Sequence, residues 1–181
     1  MRSGWPEVAA RGGALVDPMC GTGTLPLEAA WIAGDCAPGL LRDYFGFSYW
    51  LGHIPKMWAR LRDEAETRRA ASRDRIPEII GTDANPQAVR QAQFHAQRAG
   101  LKDVVRFAHR ELNASERPAG PAGLLVANPP YGHRLGEMAQ LGELYAELGS
   151  VLKRVFRGWK AAVFTGNSQL GHELGLRAIL D

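Results

Sequence analysis

The sequence predicts an α/β protein, a mostly parallel sheet with helices on both faces, and three observations predict it. Short apolar runs alternate with longer amphipathic ones along nearly the whole chain. The longer stretches carry helix start and stop residues, while the short ones are of strand length. The first four runs also end beside polar groups, Asp17, Asp83, Glu111 and Asn128. Parallel strands bring such groups to one edge, where open α/β sheets bind their ligands.

Each element follows from its residues. Residues 14–17 are the first apolar run and lead into a glycine-rich turn. A helix is predicted over 24–34, with Pro26 tolerated in its first turn and Gly34 as a stop. The isoleucine-rich stretch 78–83 is the second strand. Asn85-Pro86 then pairs an N-cap residue with proline at the first helical position. Ala88, Val89, Ala92, Ala96 and Ala99 mark one face of the helix that follows, and Gly100 closes it. Strands three and four fall at 104–107 and 124–127. Leu141, Leu144, Tyr145, Leu148, Val151, Leu152 and Val155 trace a long helix ending near Gly158. Residues 161–165 make a fifth strand, and 168–181 read as helical. There is no internal repeat.

Composition narrows the class. A chain of 181 residues suits one domain, which can bury about 70% of the surface it exposes when unfolded. With 45% hydrophobic and 23% charged residues, wholesale disorder is excluded. No apolar run approaches the roughly 20 residues of a membrane helix, and no charged n-region precedes an apolar one. Two cysteines, Cys20 and Cys36, are too few for a disulfide framework and lack zinc-site spacing, so no metal is expected. The expectation is a soluble, cytoplasmic, single-domain chain.

One segment breaks the rhythm. Residues 36–77 fill a crossover that normally needs only a short loop. An aromatic cluster (Tyr44, Phe45, Phe47, Tyr49, Trp50) precedes a helix with Met57, Trp58, Leu61 and Ala65 on its apolar side. The aromatics are expected to form a small core anchoring the insertion, in preference to stacking on bases. The chain's formal charge of +3 is also concentrated here. Between Lys56 and Arg75 there are seven basic and four acidic side chains, an excess equal to that of the whole chain. Such a face is either a solvated helix laced with i,i+4 pairs or a grip on a nucleic-acid backbone.

Three motifs carry chemistry. In Asp17-Pro18-Met19-Cys20-Gly21-Thr22-Gly23-Thr24 a strand enters a tight turn and then a helix N-terminus, a form that serves phosphate, dinucleotide and nucleoside ligands alike. The third glycine of the dinucleotide fingerprint is absent, and an acidic Asp17 before the loop suits a cationic ligand group better than a pyrophosphate. Asp83, at the end of the second strand, is placed to accept from ribose hydroxyls, or else lies beside the next helix dipole. Glu111 could approach an adenine edge. In Asn128-Pro129-Pro130-Tyr131 two prolines fix φ and remove two donors. The Asn128 Oδ1 and Pro129 carbonyl can then accept both protons of an exocyclic amine, and Tyr131 offers a stacking face. His53, His95, His109, His133 and His172 show no partner pattern and receive no catalytic role.

Together these motifs resemble the class I S-adenosylmethionine-dependent amino-methyltransferases. Residues 17–50 (DPMCGTGTLPLEAAW, then APGLLRDYFGFSYW) and 128–137 (NPPYGHRLGE) are similar, more narrowly, to the THUMP-associated group. The closest of these methylate guanine N2 in large-subunit ribosomal RNA. The resemblance implies a Rossmann-like class I methyltransferase sheet and S-adenosylmethionine as cofactor. Asp17, Pro18, Cys20, Gly21, Gly23 and Thr24 would then lie on its methionine side, Asp83 and Ala84 at the ribose, and Glu111 near the adenine. Asn128, which would also border the cofactor, Pro129, Pro130 and Tyr131 would hold the target base. It implies ribosomal RNA as partner, held through the basic segment and a flanking RNA-binding region. Against the family's seven-stranded sheet, five strands make residues 1–181 a single partial domain without the last two strands, interrupted by the insertion at about 36–77. Other readings stay open: a DNA or tRNA amino-methyltransferase, a nicotinamide dehydrogenase, or an inactive fragment that only binds cofactor or RNA.

Overall fold

The computed structural model describes residues 3–131 and 138–179. Eleven regular elements follow one another in these segments: α1 (Trp5–Ala10), β1 (Leu15–Asp17), α2 (Thr24–Ala33), α3 (Pro55–Ser72), β2 (Ile79–Asp83), α4 (Pro86–Arg98), β3 (Val105–His109), β4 (Leu124–Ala127), α5 (Met138–Arg154), β5 (Lys160–Val163) and α6 (Ser168–Glu173). The five strands pair in the order β3-β2-β1-β4-β5, all parallel. The chain builds outward from β1 in one direction and then, after β3, in the other. The strand order therefore reverses between β1 and β4, the position where such sheets form their ligand crevice.

Alternation along the strands feeds two cores. Leu15, Ile79, Val105 and Leu124 are aligned across the sheet and pack with Leu27, Ala30, Val89, Ala92 and Ala96 of α2 and α4. Val16, Ile80 and Leu125 face the other way, against Leu148, Val151 and Leu152 of α5. Burial on both faces explains why β1, β2 and β4 read as continuous apolar runs. Helix α4 begins as expected, with Asn85 Oδ1 accepting from Gln87 N at 2.9 Å. It ends at Gly100, whose φ of +69° lets Leu101 N reach back to Ala96 O at 2.8 Å.

Some elements depart from expectation. Helix α1 was not anticipated. It is a single short segment secured by buried Trp5, whose indole N–H donates to Ala29 O at 2.9 Å. Helix α2 ends beside Gly34, but the residue in left-handed conformation is Asp35 (φ +48°), with Cys36 N bonded to Trp31 O. Gly34 serves packing instead, since a Cβ there would lie 2.9 Å from Ile76. The helix expected over 168–181 stops at Glu173. Gly175 turns the chain at φ +58° and its N–H bonds to His172 O.

The stretch between α2 and β2 divides its aromatics. Phe45 and Phe47 each meet Trp58 of α3 edge to face at 4.9 Å, so these form the expected anchor. Tyr44, Tyr49 and Trp50 do not: they remain 60%, 82% and 73% exposed. Met57 and Leu61 are exposed as well, so the apolar side of α3 is only half covered. Of its basic residues Arg68 forms a two-pronged pair with Asp35, and Arg62 an i,i+4 pair with Glu66 at 3.7 Å. Lys56, Arg60, Arg69 and Arg73 have no carboxylate within 4.0 Å among the described residues. No helix there is long and apolar enough to cross a membrane.

Gly81 tests the packing account. It pairs with Phe107 in register and shares its sheet face, and a Cβ at Gly81 would lie 2.5 Å from the Phe107 ring. Gly81→Ala is expected to destabilise the protein by about 1–3 kcal/mol through overpacking. Phe107→Leu in the same chain should return part of that loss in chemical denaturation, whereas purely additive losses would refute the clash.

Candidate active site

The carboxyl ends of β1, β2 and β4 bring the three motifs to one edge. After β1 the loop runs through Gly21 (φ +53°) and Gly23 (φ +89°), and these glycines do different work. A Cβ at Gly23 would strike Phe107 at 2.7 Å and Ala92 at 3.0 Å, so this glycine lets the loop press onto β3 and α4. A Cβ at Gly21 would meet nothing within 4 Å, so its backbone lies open to a ligand.

Asp83 joins two turns. Its Oδ2 accepts from Gly21 N and its Oδ1 from Asn85 N, both at 2.8 Å. A carboxylate has about four acceptor positions, so two protein donors leave room for two hydroxyls. Asp17 is sealed beneath the loop at 1% exposure, its Oδ1 accepting from Met19 N at 3.1 Å. Burial pushes its pKa up to about 7, against the Met19 hydrogen bond that lowers it, and the nearby Asp83 charge adds to the rise. Burial, then the charges of Asp17 and Asp83, also raise the Cys20 thiol. Cys20 therefore stays protonated at neutral pH, unsuited to nucleophilic work.

Two histidines hold these turns, and sequence reasoning missed both. His95 Nδ1 lies 3.0 Å from Thr22 O, and His109 Nε2 lies 3.0 Å from Ala84 O. A carbonyl only accepts, so each of these ring nitrogens carries the proton. His109 could have been found by register, because it pairs with Asp83 across β2 and β3. His95 gives no sequence signal, since its partner lies 73 residues away.

Across the reversal point, Asn128 is exposed, Pro129 is buried and Pro130 is exposed. The Tyr131 ring, 40% exposed, lies over Gly166, where a Cβ would come within 3.2 Å of it. Asn128 and Tyr131 line a cleft of about 460 Å³ with Leu25 of α2 and Phe164, Thr165 and Gly166 after β5. Phe164, 57% exposed, and Thr165 were not anticipated. Thr165 Oγ1 accepts from buried Tyr145 at 3.2 Å and donates to Asn167 O at 3.0 Å, which fixes the loop behind the cleft. Not every expected residue joins this group. Thr24 lines a separate cleft between α2 and α4, with Thr22, Trp31 and His95. Glu111 opens a short 3-10 turn beside β3 and leaves its side chain exposed. Residues 132–137 of the longer motif, His133 included, lie outside the described residues.

A five-stranded parallel sheet reversing at β1/β4, with a glycine loop, a second-strand aspartate and an Asn-Pro-Pro-Tyr turn on its carboxyl edge, defines the class I S-adenosylmethionine-dependent methyltransferase fold. The chain belongs to the RMKL-like, methyltransferase domain family, which matches residues 2–180. It is 52% identical over 181 residues to the ribosomal RNA large subunit methyltransferase K/L of Syntrophotalea carbinolica, covering 98% of this chain and 25% of that protein. The protein of the same name from Allochromatium vinosum is 52% identical over 179 residues, 98% of this chain and 24% of its own. The chain thus spans about a quarter of the length of these relatives. Among solved structures, SMU.472, assigned as a methyltransferase and determined in complex with SAH, superposes with a TM-score of 0.84 at 28% identity, over 99% of this chain and 50% of that one. A predicted N6-adenine-specific DNA methylase from Listeria monocytogenes gives 0.83 at 34% identity, over 94% and 43%.

The Asp17 carboxyl makes a pH prediction. Its folded pKa of about 7 lies above the ordinary 3.8, so the folded state keeps a proton that the unfolded chain releases in that window. Stability therefore falls as pH rises from about 4 to 7, by on the order of 4 kcal/mol for this group acting alone. Asp17→Asn keeps the acceptor for Met19 N–H and removes the titration. It should melt above the wild type at pH 8 and close to it at pH 4; parallel melting profiles would refute this account.

Proposed function

We propose that this chain transfers a methyl group from S-adenosylmethionine to an exocyclic base amine of large-subunit ribosomal RNA, most favourably guanine N2. The observation that carries it is the juxtaposition, on one sheet edge, of an open glycine loop, a half-satisfied Asp83 and the Asn128-Pro129-Pro130-Tyr131 turn. The names of the relatives supply the substrate class. Residues 1–181 are read as a partial catalytic domain, with the insertion at about 36–77 as its RNA-facing part, working in the cytoplasm where ribosomes are built.

S-adenosylmethionine, when bound, supplies an electrophilic methyl group on a sulfonium. The residues of the loop suit it: Gly21 leaves the backbone uncovered, and Asp83 keeps two acceptor positions for ribose hydroxyls. Pro18, Cys20, Gly23 and Thr24 shape the same turn, Ala84 borders the ribose position, and Glu111 stands on the adenine side. Asp17 acts from below, through the loop it braces and the field it sets, because its carboxyl is buried.

At the acceptor, Asn128 Oδ1 and the Pro129 carbonyl accept the two amine protons. That orients the nitrogen lone pair and favours positive charge as it develops there. Pro130 keeps the turn rigid and Tyr131 presents its ring to the base. The surplus proton passes to water at the exposed Asn128, so no general base is needed before attack. Orientation of the two reactants supplies a large part of the acceleration, on the order of 7–11 kcal/mol for well-aligned groups.

Tritiated methyl transfer onto unmodified ribosomal RNA, followed by nucleoside analysis, is the test. N2-methylguanine is the expected product. The similarity to a predicted N6-adenine-specific DNA methylase favours a second reading, methylation of adenine in DNA, so a DNA substrate belongs in the same assay. Label found only in DNA would replace the ribosomal reading. Asn128→Ala is expected to lower transfer by about 10²–10³-fold, the range for one lost transition-state hydrogen bond, with cofactor affinity held within about threefold. For the RNA grip, Arg69→Glu with Arg73→Glu should weaken RNA binding and flatten its salt dependence by about two units of slope. Arg68 is left intact because it holds Asp35. An unchanged slope would remove α3 from the RNA surface.

A further inference from the structure

We propose that Tyr44, Tyr49 and Trp50 form a stacking platform for unpaired RNA bases at the amino-terminal end of α3, so that the insertion selects single-stranded over paired RNA. The inference rests on the reading of RNA as the partner and assigns a new surface to it. The three rings are among the most exposed large side chains of the chain, in a protein whose other tryptophans, Trp5, Trp31, Trp58 and Trp159, are buried or half-buried. They are not carried on a slack loop. Phe45 and Phe47 clamp Trp58 from the inner side, Phe47 also meets the His53 ring at 5.5 Å, and a 3-10 turn, Gly46–Tyr49, joins them. Trp50 N–H bonds to Phe47 O at 3.0 Å and His53 N–H to Trp50 O at 2.9 Å. Tyr44 and Tyr49 stand 5.9 Å apart between ring centres. The backbone is thus fixed while the rings face water, the reverse of what a packing role requires.

Charge identifies the occupant. Residues 41–62 hold four basic side chains, Arg42, Lys56, Arg60 and Arg62, against one acidic one, Asp43. Lys56 and Arg60 lie exposed on the first turns of α3, the same turns whose Trp58 holds Phe45 and Phe47. Aromatic faces beside a cationic track are the combination that binds single strands, each ring taking a base and the cations following the phosphates. A duplex keeps its base faces covered and offers only its backbone and groove edges. Leu51, Ile54, Met57 and Leu61, in the same stretch of chain, are also exposed and add apolar surface without charge.

The experiment measures anisotropy of a labelled uridine oligomer of about 12 nucleotides and of an RNA duplex of the same length. Wild type should bind the single strand more tightly. Tyr49→Leu with Trp50→Leu keeps apolar area but removes the faces, and should weaken single-strand binding at least about fivefold per ring with duplex affinity within twofold. Tyr49→Phe with Trp50→Phe should bind as wild type does. Equal loss on both RNAs, or none, overturns the platform and leaves the RNA reading standing. A leucine variant altered only in its sedimentation would assign the rings to a protein contact instead. If wild type binds neither RNA, the partner itself is wrong and the platform falls with it.

Discussion

Leu15 and Val16 pair with neighbours on both sides of the sheet, Asp17 pairs with Gly81 of β2, all three are buried, and the geometry of the site depends on that confinement. A central strand in a parallel sheet gives up all its backbone hydrogen bonds to its partners, so the chain can turn only where it leaves the sheet. Here it leaves between two strands that diverge in connectivity. The loop after Asp17 reaches Asp83 on one side through Gly21, while Leu25, in the first turn of α2, lines one cleft with Asn128 on the other. A β1 one residue out of register would face Asp17 into the wrong layer and break the Gly21–Asp83 link.

The parts of this arrangement legible in the sequence are those set by local chemistry. Runs buried on both faces were visible as apolar stretches, and Asn85-Pro86 and Gly100 announced the ends of α4 because capping needs those residue types there. The glycine loop and the Asn128 turn were visible for the same reason. Less legible were features made by distant partners. Helix α1 is six residues long and depends on an indole bond to Ala29, so no periodicity could reveal it. The tail beyond Glu173 carries helical spacing that the turn at Gly175 overrides. His95 and His109 gain their meaning from carbonyls 73 and 25 residues away. In the aromatic run, composition could not tell which rings face inward; alternation of Phe45 and Phe47 toward Trp58 decided it.

The segment joining α2 to β2 illustrates how a weak tie can still orient a large element. The Asp35–Arg68 pair is exposed, and exposed pairs of this kind contribute little to stability. Burial is equally sparse, since Ser72 is the only fully buried residue of α3. The aspartate nevertheless sits in the left-handed position that ends α2, where glycine would carry no steric cost. A carboxylate at that corner adds direction rather than energy, pointing the cationic helix from a fixed origin.

The buried carboxyl beneath the glycine loop has a further consequence. Burial raises the pKa of this group to about 7, close to physiological pH, so its proton is exchangeable there. A charged molecule settling over Gly21 changes the field there and so changes the fraction of protein carrying that proton. Binding is then accompanied by partial proton exchange with the solution, and the heat of binding takes on the ionisation enthalpy of whichever buffer is present. Calorimetric traces recorded in phosphate and in Tris would differ for that reason alone, and their difference counts the protons moved.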